Sequence, residues 1–139
     1  MSDLYSQTTD DIAVTVQPIF LPDQSRPAEG KFVWAYHVRI ENKGQETVQL
    51  LRRTWRITDA RGRTQTVHGD GVVGAQPVLA PGEAFEYTSG TPLETPSGFM
   101  TGAYHMIRVG AGGTGAGEAF DIAIPAFSLD SPQEARRMH

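Results

Sequence analysis

Lys31-Phe32-Val33-Trp34-Ala35-Tyr36-His37-Val38-Arg39-Ile40-Glu41 decides how the rest of the chain is read. Phe32, Trp34, Tyr36, Val38 and Ile40 fall on one face of an extended chain, while Lys31, His37, Arg39 and Glu41 fall on the other. That period of two is the signature of a strand with one face buried. A row of five large apolar side chains needs a second apolar layer against it, so this strand belongs to a sheet packed on another sheet.

The same period recurs on both sides of it. Upstream, Ile12, Val14 and Val16 alternate with Ala13, Thr15 and Gln17 until Pro18 limits the ladder, which reads as a first, edge strand. Pro22 to Lys31 is a polar loop. Downstream, Asn42-Lys43-Gly44 supplies a turn with Gly44 at positive φ, and a strand from Thr47 to Thr58 presents Leu51, Arg53, Trp55 and Ile57 inward. Asp59-Ala60-Arg61-Gly62 fits a hairpin of a type I turn plus glycine bulge, leading into Thr64 to His68. Ala80-Pro81-Gly82-Glu83 fits a type II turn, because proline presets the second position and glycine accepts positive φ at the third. Phe85 and Tyr87 then share a face, a long strand runs from Phe99 to Val109, and Phe120, Ile122 and Ile124 align in the next. Pro125 breaks that parity and Phe127 and Leu129 resume it on odd positions, which predicts a kink or a strand switch. Gly102-Ala103-Tyr104 suggests a tyrosine-corner position. Seven or eight strands and no sustained 3.6 period predict an all-β fold, a two-sheet antiparallel β-sandwich. One domain over residues 1–130 is expected, with a polar tail, 131–139, separate from the core.

Composition narrows the function classes. At 139 residues with 39% hydrophobic and 20% charged residues, the chain suits one globular domain rather than a disordered or membrane-inserted one. Met1 to Asp11 has no basic start and no apolar core, so it does not read as a secretory signal, and a cytoplasmic protein is expected. The chain has no cysteine, which excludes disulfides, thiolate nucleophiles and cysteine-based metal sites. A net charge of −4 offers no footprint for nucleic acid.

Gly69-Asp70-Gly71-Val72-Val73-Gly74 matches the G-x-G-x-x-G of dinucleotide-binding folds, as does Gly110-x-Gly112-x-x-Gly115. That motif acts by delivering a pyrophosphate to a helix N-terminus, and here Val72-Val73-Gly74-Ala75-Gln76-Pro77 is β-branched and ends in proline. The glycines are therefore expected to shape a loop between strands. Successive N–H groups forming an anion-binding nest remain as the alternative. Arg53 is anomalous in an apolar row with Trp55 and must be ion-paired, stacked on that ring, or at the sheet margin. Arg52 and Arg56, with Arg61 and Arg63, form either a basic stripe or a solvated face. His68 and Asp70 offer an incomplete ligand pair for a divalent ion. No carboxylate pair has dyad spacing and no nucleophile elbow is present.

In order and spacing, Val48-Gln49-Leu50-Leu51, Arg53-x-Trp55-x-Ile57-x-Asp59, Gly69-x-Gly71-Val72-Val73-Gly74-x-Gln76-Pro77, Pro81-Gly82-Glu83, Phe85-x-Tyr87-Thr88-Ser89-Gly90, Met100-x-Gly102-x-Tyr104 and Ile124-Pro125-x-Phe127 cover nearly the whole chain. This pattern resembles the bacterial ApaG family, also called CorD. The resemblance implies a fibronectin type III-like sandwich, no established catalytic residues and no cofactor. It also implies an association with cobalt and magnesium resistance or efflux. Similar domains sit in an F-box protein and a polymerase delta-interacting protein, which implies an interaction module. The segment Gly110 to Gly117 departs from the family pattern by its length and glycine content. The expected role is a non-enzymatic protein-binding domain, with Gly69, Asp70, Gly71, Val72, Val73, Gly74, Gln76 and Pro77, flanked by Arg53, Trp55 and the Pro81 to Gly98 segment, as the binding region. The alternative is a small-anion or nucleotide-phosphate binder using the Gly69 to Gly74 loop, with weak anion or divalent-cation binding there.

Overall fold

The computed structural model describes residues 4–109 and 116–131. The second glycine match, Gly110-x-Gly112-x-x-Gly115, lies outside the described residues. Nine strands are described: β1 (Tyr5–Thr9), β2 (Ile12–Phe20), β3 (Phe32–Asn42), β4 (Val48–Asp59), β5 (Thr64–Asp70), β6 (Val78–Leu79), β7 (Ala84–Leu93), β8 (Ser97–Val109) and β9 (Ala116–Asp130). Two antiparallel sheets form, one in the order β1-β2-β3-β7 and the other β5-β4-β8-β9, with β6 added to β4. Only two 3-10 turns, Pro22–Gln24 and Pro27–Glu29, interrupt the β structure described. No helix among the described residues is long and apolar enough to cross a membrane.

The decisive row of β3 is buried throughout, at 5% exposure or less from Phe32 to Ile40. It faces Trp55, whose ring meets Tyr36 edge-on at 5.1 Å, Phe127 at 5.9 Å and Tyr104 at 6.5 Å. Both glycine turns form as their sequences require. Gly62 has φ +81 with its N–H on the Asp59 carbonyl, and Gly82 has φ +88 with the Glu83 N–H on the Ala80 carbonyl.

Several expectations need correction. The strand at Ile12 is interior at its start, because β1 pairs with it from Tyr5↔Val16 to Thr9↔Ile12 across a two-residue turn. Asp10 and Asp11 hold that turn at φ +48 and +65, the positive pair that suits the right-handed twist of a hairpin. Pro18 stands where β1 has ended, so its missing N–H costs no ladder bond on that side, while pairing with β3 continues to Phe20↔Trp34. Gly44 does not adopt positive φ; buried Asn42 builds the turn instead. Its Oδ1 accepts from the Gly44 N–H at 2.9 Å, and its Nδ2 donates to the carbonyls of Glu46 and Leu79.

Strand β4 corrects the inward row. Leu51 is an extra residue between the pairs Leu50↔Met106 and Arg52↔His105, so Val48 and Leu50 point inward before this bulge and Arg53, Trp55 and Ile57 after it. A bulge likewise explains Pro125. Between Met100↔Phe127 and Gly102↔Ile124, β9 carries one residue more than β8, and the inward parity flips within a single continuous strand rather than by a switch of sheets. Ser131, expected in a tail apart from the core, is buried, and its N–H bonds the Pro96 carbonyl.

The two sides of the sandwich differ. On one, β9 packs against β1 and β2, with the Ala123 N–H on Thr9 Oγ1 at 3.3 Å. On the other, the edge strands β5 and β7 part around a groove lined by residues of both.

Candidate functional site

The Gly69–Pro77 segment is latched to β4 at nearly every step. Gly69 pairs with Arg53, and a Cβ there would lie 2.6 Å from the Arg53 Cζ, so the guanidinium lies over a position that only glycine leaves open. Arg53 Nη1 donates to the carbonyls of Asp70 at 3.0 Å and Gly71 at 2.8 Å. The anomalous arginine is thus held by backbone carbonyls, in place of the expected carboxylate or Trp55 ring. Gly71, at φ +61, donates to the bulge carbonyl of Leu51 at 2.8 Å, and any Cβ would meet the Ala75 oxygen at 2.2 Å. Gln76 Nε2 reaches the same Leu51 carbonyl at 2.9 Å, Gln49 Nε2 reaches the Gln76 carbonyl, and Leu50 donates to Pro77. The bulge that upset the inward row therefore has a use: it turns an otherwise ladder-bound carbonyl toward the loop.

Val72 and Ala75 exchange both backbone hydrogen bonds, at 2.8 and 2.9 Å, around Val73 and Gly74. Val72 is fully buried, whereas Val73 is 60% exposed at φ +43 and Gly74 follows at φ +83. Two positive φ values define a primed hairpin turn, which asparagine and glycine favour and a β-branched residue resists. No helix follows the loop, in keeping with the strand reading of the glycine pattern. The N–H groups of Gly71, Val72 and Ala75 are all spent on carbonyls of the fold, which removes three donors from the alternative anion nest.

A polar chain crosses the outer face of the second sheet beside this loop. His68 Nδ1 lies 3.1 Å from Thr54 Oγ1, Thr54 Oγ1 lies 2.7 Å from His105 Nε2, and His105 Nδ1 lies 2.8 Å from Asp121 Oδ1. A carboxylate at Nδ1 demands a proton there, so neutral His105 accepts the Thr54 hydroxyl at Nε2, and Thr54 accepts from His68. The order carboxylate, imidazole, hydroxyl is that of an activated nucleophile, but Thr54 is only 8% exposed in mid-strand, between paired neighbours whose N–H groups serve the ladders. His68 and His105 are 37 residues apart in the sequence and meet only through the register of β5, β4 and β8, so no spacing could reveal them. Asp70 does not complete a ligand set with His68; among the described residues no three of His, Asp and Glu converge for a metal ion. Of the arginines weighed as a stripe, Arg52 and Arg56 lie exposed on this face, while Arg63 is ion-paired to Asp59 and Glu94 at 3.0 Å each.

Arg53 joins the loop to the sandwich interior. Tyr87 and Tyr104 share a hydrogen bond of 2.5 Å between their hydroxyls, which replaces the expected tyrosine-corner bond. Burial pushes both phenols, and that of Tyr36, above the ordinary range, against the pull of the Arg53 charge. The groove beside them is lined by Tyr36, Arg53, Trp55, Val67, Ser89 and Met100 among others. The indole Nε1 of Trp55, like that of Trp34, is buried without a hydrogen-bond partner among the described residues.

Comparison with known proteins accords with this architecture. The ApaG domain model matches residues 22–108. Protein ApaG of Paramagnetospirillum magneticum is 65% identical over 136 residues, 98% of this chain and 100% of that protein. Protein ApaG of Rhodospirillum centenum is 63% identical over 134 residues, 96% of this chain and 98% of that protein. A crystal structure of the Bordetella pertussis protein named ApaA superposes with a TM-score of 0.80 at 47% identity, over 88% of this chain and 95% of that one. The sandwich, the latched glycine loop and these matches along almost the full chain lead to one assignment: the chain belongs to the ApaG domain family.

Proposed function

We propose that this chain is a non-enzymatic protein-interaction domain that presents the Gly69–Pro77 loop, with the adjoining Pro81 to Gly98 segment, to a partner protein. One observation carries the reading: Val73, a β-branched residue at φ +43, stands 60% exposed on a loop latched from below. Such backbone strain costs about 1–3 kcal/mol and persists where function uses the side chain it displays. Val78, on β6 just beyond the loop in the chain, is a second exposed apolar side chain, at 50%. The latches support a pre-organised surface, since a loop already ordered loses little entropy on binding. The association with cobalt and magnesium implied by the family resemblance is assigned here to the partner, because among the described residues no three of His, Asp and Glu converge on a metal site. The test is the variant Val73→Asn, which relieves the turn while removing the apolar tip. Proteins co-purifying with the wild type and lost from this folded variant support the reading; the same set retained, also after replacement of both loop segments, refutes it.

A further inference from the structure

Strands β5 and β7 are each hydrogen-bonded on one side only, so along the groove between them both present unpaired backbone N–H and C=O groups. Natural sheets cover such edges, as this protein does on its opposite side, where β9 packs on β1 and β2. The floor of the open side is apolar, from Tyr36, Ile57, Val67 and Met100. Two donors belong to residues of that wall, one of them buried within it. Trp55 is 3% exposed and among the described residues its Nε1 has no hydrogen-bond partner, although a buried indole N–H normally finds one. Trp55 lines the groove, and its Cε3 is the atom nearest β8, 3.2 Å from where a Cβ of Gly102 would stand. Arg53 is the second donor, with Nη1 alone committed to the loop carbonyls. Among the described residues, no carboxylate lines this cavity and Arg53 is its one charged residue. The cavity of about 260 Å³ falls below the roughly 300–1,000 Å³ of sites that enclose whole small ligands, and is of a size for one side chain.

We propose that the β5–β7 groove receives an extended peptide segment of a partner protein, which pairs with an edge strand and inserts an aspartate or glutamate side chain between Trp55 Nε1 and Arg53. Strand addition of this kind draws affinity from main-chain hydrogen bonds and specificity from a pocket for alternate side chains. The charge complements the site: a carboxylate satisfies the orphan indole and meets a guanidinium with donors to spare. Because Arg53 also holds the Asp70 and Gly71 carbonyls, the groove and the latched loop share a wall and would be read by one partner. The inference rests on the interaction-domain reading and adds the partner's chemistry.

The full chain, ¹⁵N-labelled, is the reagent, and a displayed library of random dodecapeptides is the probe. Selected peptides should share an acidic residue at one position and move the Trp55 indole N–H signal together with the amides of Val67, Gly90 and Thr91. Changing that acid to its amide should weaken binding about tenfold. Gln65→Glu, exposed at the groove and remote from the core, should weaken it comparably, and Gln65→Lys should strengthen it. Peptides that move only Val72 to Ala75 overturn the groove and leave the loop reading standing; failure to select any peptide counts against both. An equal indole shift with propionate alone, or a concentration-dependent dimer covering the same amides, overturns the peptide as occupant.

Discussion

Replacing Gly69 by alanine separates two accounts of why glycine occupies a regular strand position. Ordinarily the change stabilises a strand interior, by about 0.5–1 kcal/mol, because alanine loses less conformational entropy on folding. Here the new Cβ would sit 2.6 Å from Arg53 Cζ, at the far end of a flexible side chain, so the guanidinium can move aside only by releasing the Asp70 and Gly71 carbonyls. A hydrogen bond from a charged donor is worth about 1.5–3 kcal/mol, and much less at an exposed acceptor. The bond to Asp70 is exposed and that to Gly71 part-buried, which sets the combined loss at roughly 2 kcal/mol. Gly69→Ala should then destabilise the wild type by about 1 kcal/mol net. In an Arg53→Met background, where a flexible thioether has no bond to lose, the same change should be neutral or stabilising. Urea unfolding of the four proteins in the double-mutant cycle measures the coupling, which should be roughly 1–2 kcal/mol. Equal costs of Gly69→Ala in both backgrounds would show that Arg53 does not hold the loop.

Three further outcomes follow from single contacts. Val73→Asn should raise stability by about 1 kcal/mol, since Asn-Gly suits the primed turn, whereas Gly71→Ala should lower it by about 3 kcal/mol or more through the Ala75 oxygen; both are read from urea midpoints. Tyr104→Phe leaves the buried Tyr87 hydroxyl unpaired and should cost about 1–3 kcal/mol, with part of that recovered in the double Tyr87→Phe, Tyr104→Phe variant. The raised phenols also set a pH dependence: their neutral forms are favoured by the fold, so their stabilisation is complete below the unfolded value near 10 and is lost as pH rises beyond it. Spectrophotometric titration at 295 nm should show Tyr87 and Tyr104 ionising only above that value. Hydrogen bonds from His37 at 2.8 Å and Arg39 at 2.7 Å hold Glu86 below the ordinary carboxylate range, so its contribution is present above the unfolded pKa and is lost as pH falls through the folded one. Carboxyl-carbon NMR of His37→Asn should show that titration moving upward.

What was legible in the sequence divides along physical lines. The β3 row, the Asp59–Gly62 hairpin and the Pro81-Gly82 turn are written in local chemistry, where side-chain alternation or one glycine determines the backbone. Strand β1 was not legible, because Tyr5–Thr9 is mostly polar and exposed, and its pairing depends on Asp10 and Asp11 entering positive φ. Leu51 misled because a bulge shifts parity without changing composition. The Pro125 bulge announced itself because proline cannot serve the ladder. In the candidate site the glycine loop was visible as turn chemistry, and the oddity of Arg53 in an apolar row was visible too. Its solution was not, since carbonyl partners 17 and 18 residues away carry no sequence signature. The orphan indole of Trp55 and the His68–Thr54–His105–Asp121 chain exist only through sheet register, and their members look ordinary one at a time.

Site-specific photo-crosslinking in cells that produce the protein tests the interaction reading most directly. A benzophenone amino acid at Val73, at the exposed tip of the latched loop, should give one discrete, heavier adduct containing a second protein on illumination. The same group at exposed Thr8, on β1 at the opposite side of the sandwich, should give none. Absence of an adduct at Val73, or one of equal yield at Thr8, would contradict the assignment of this loop as the recognition surface.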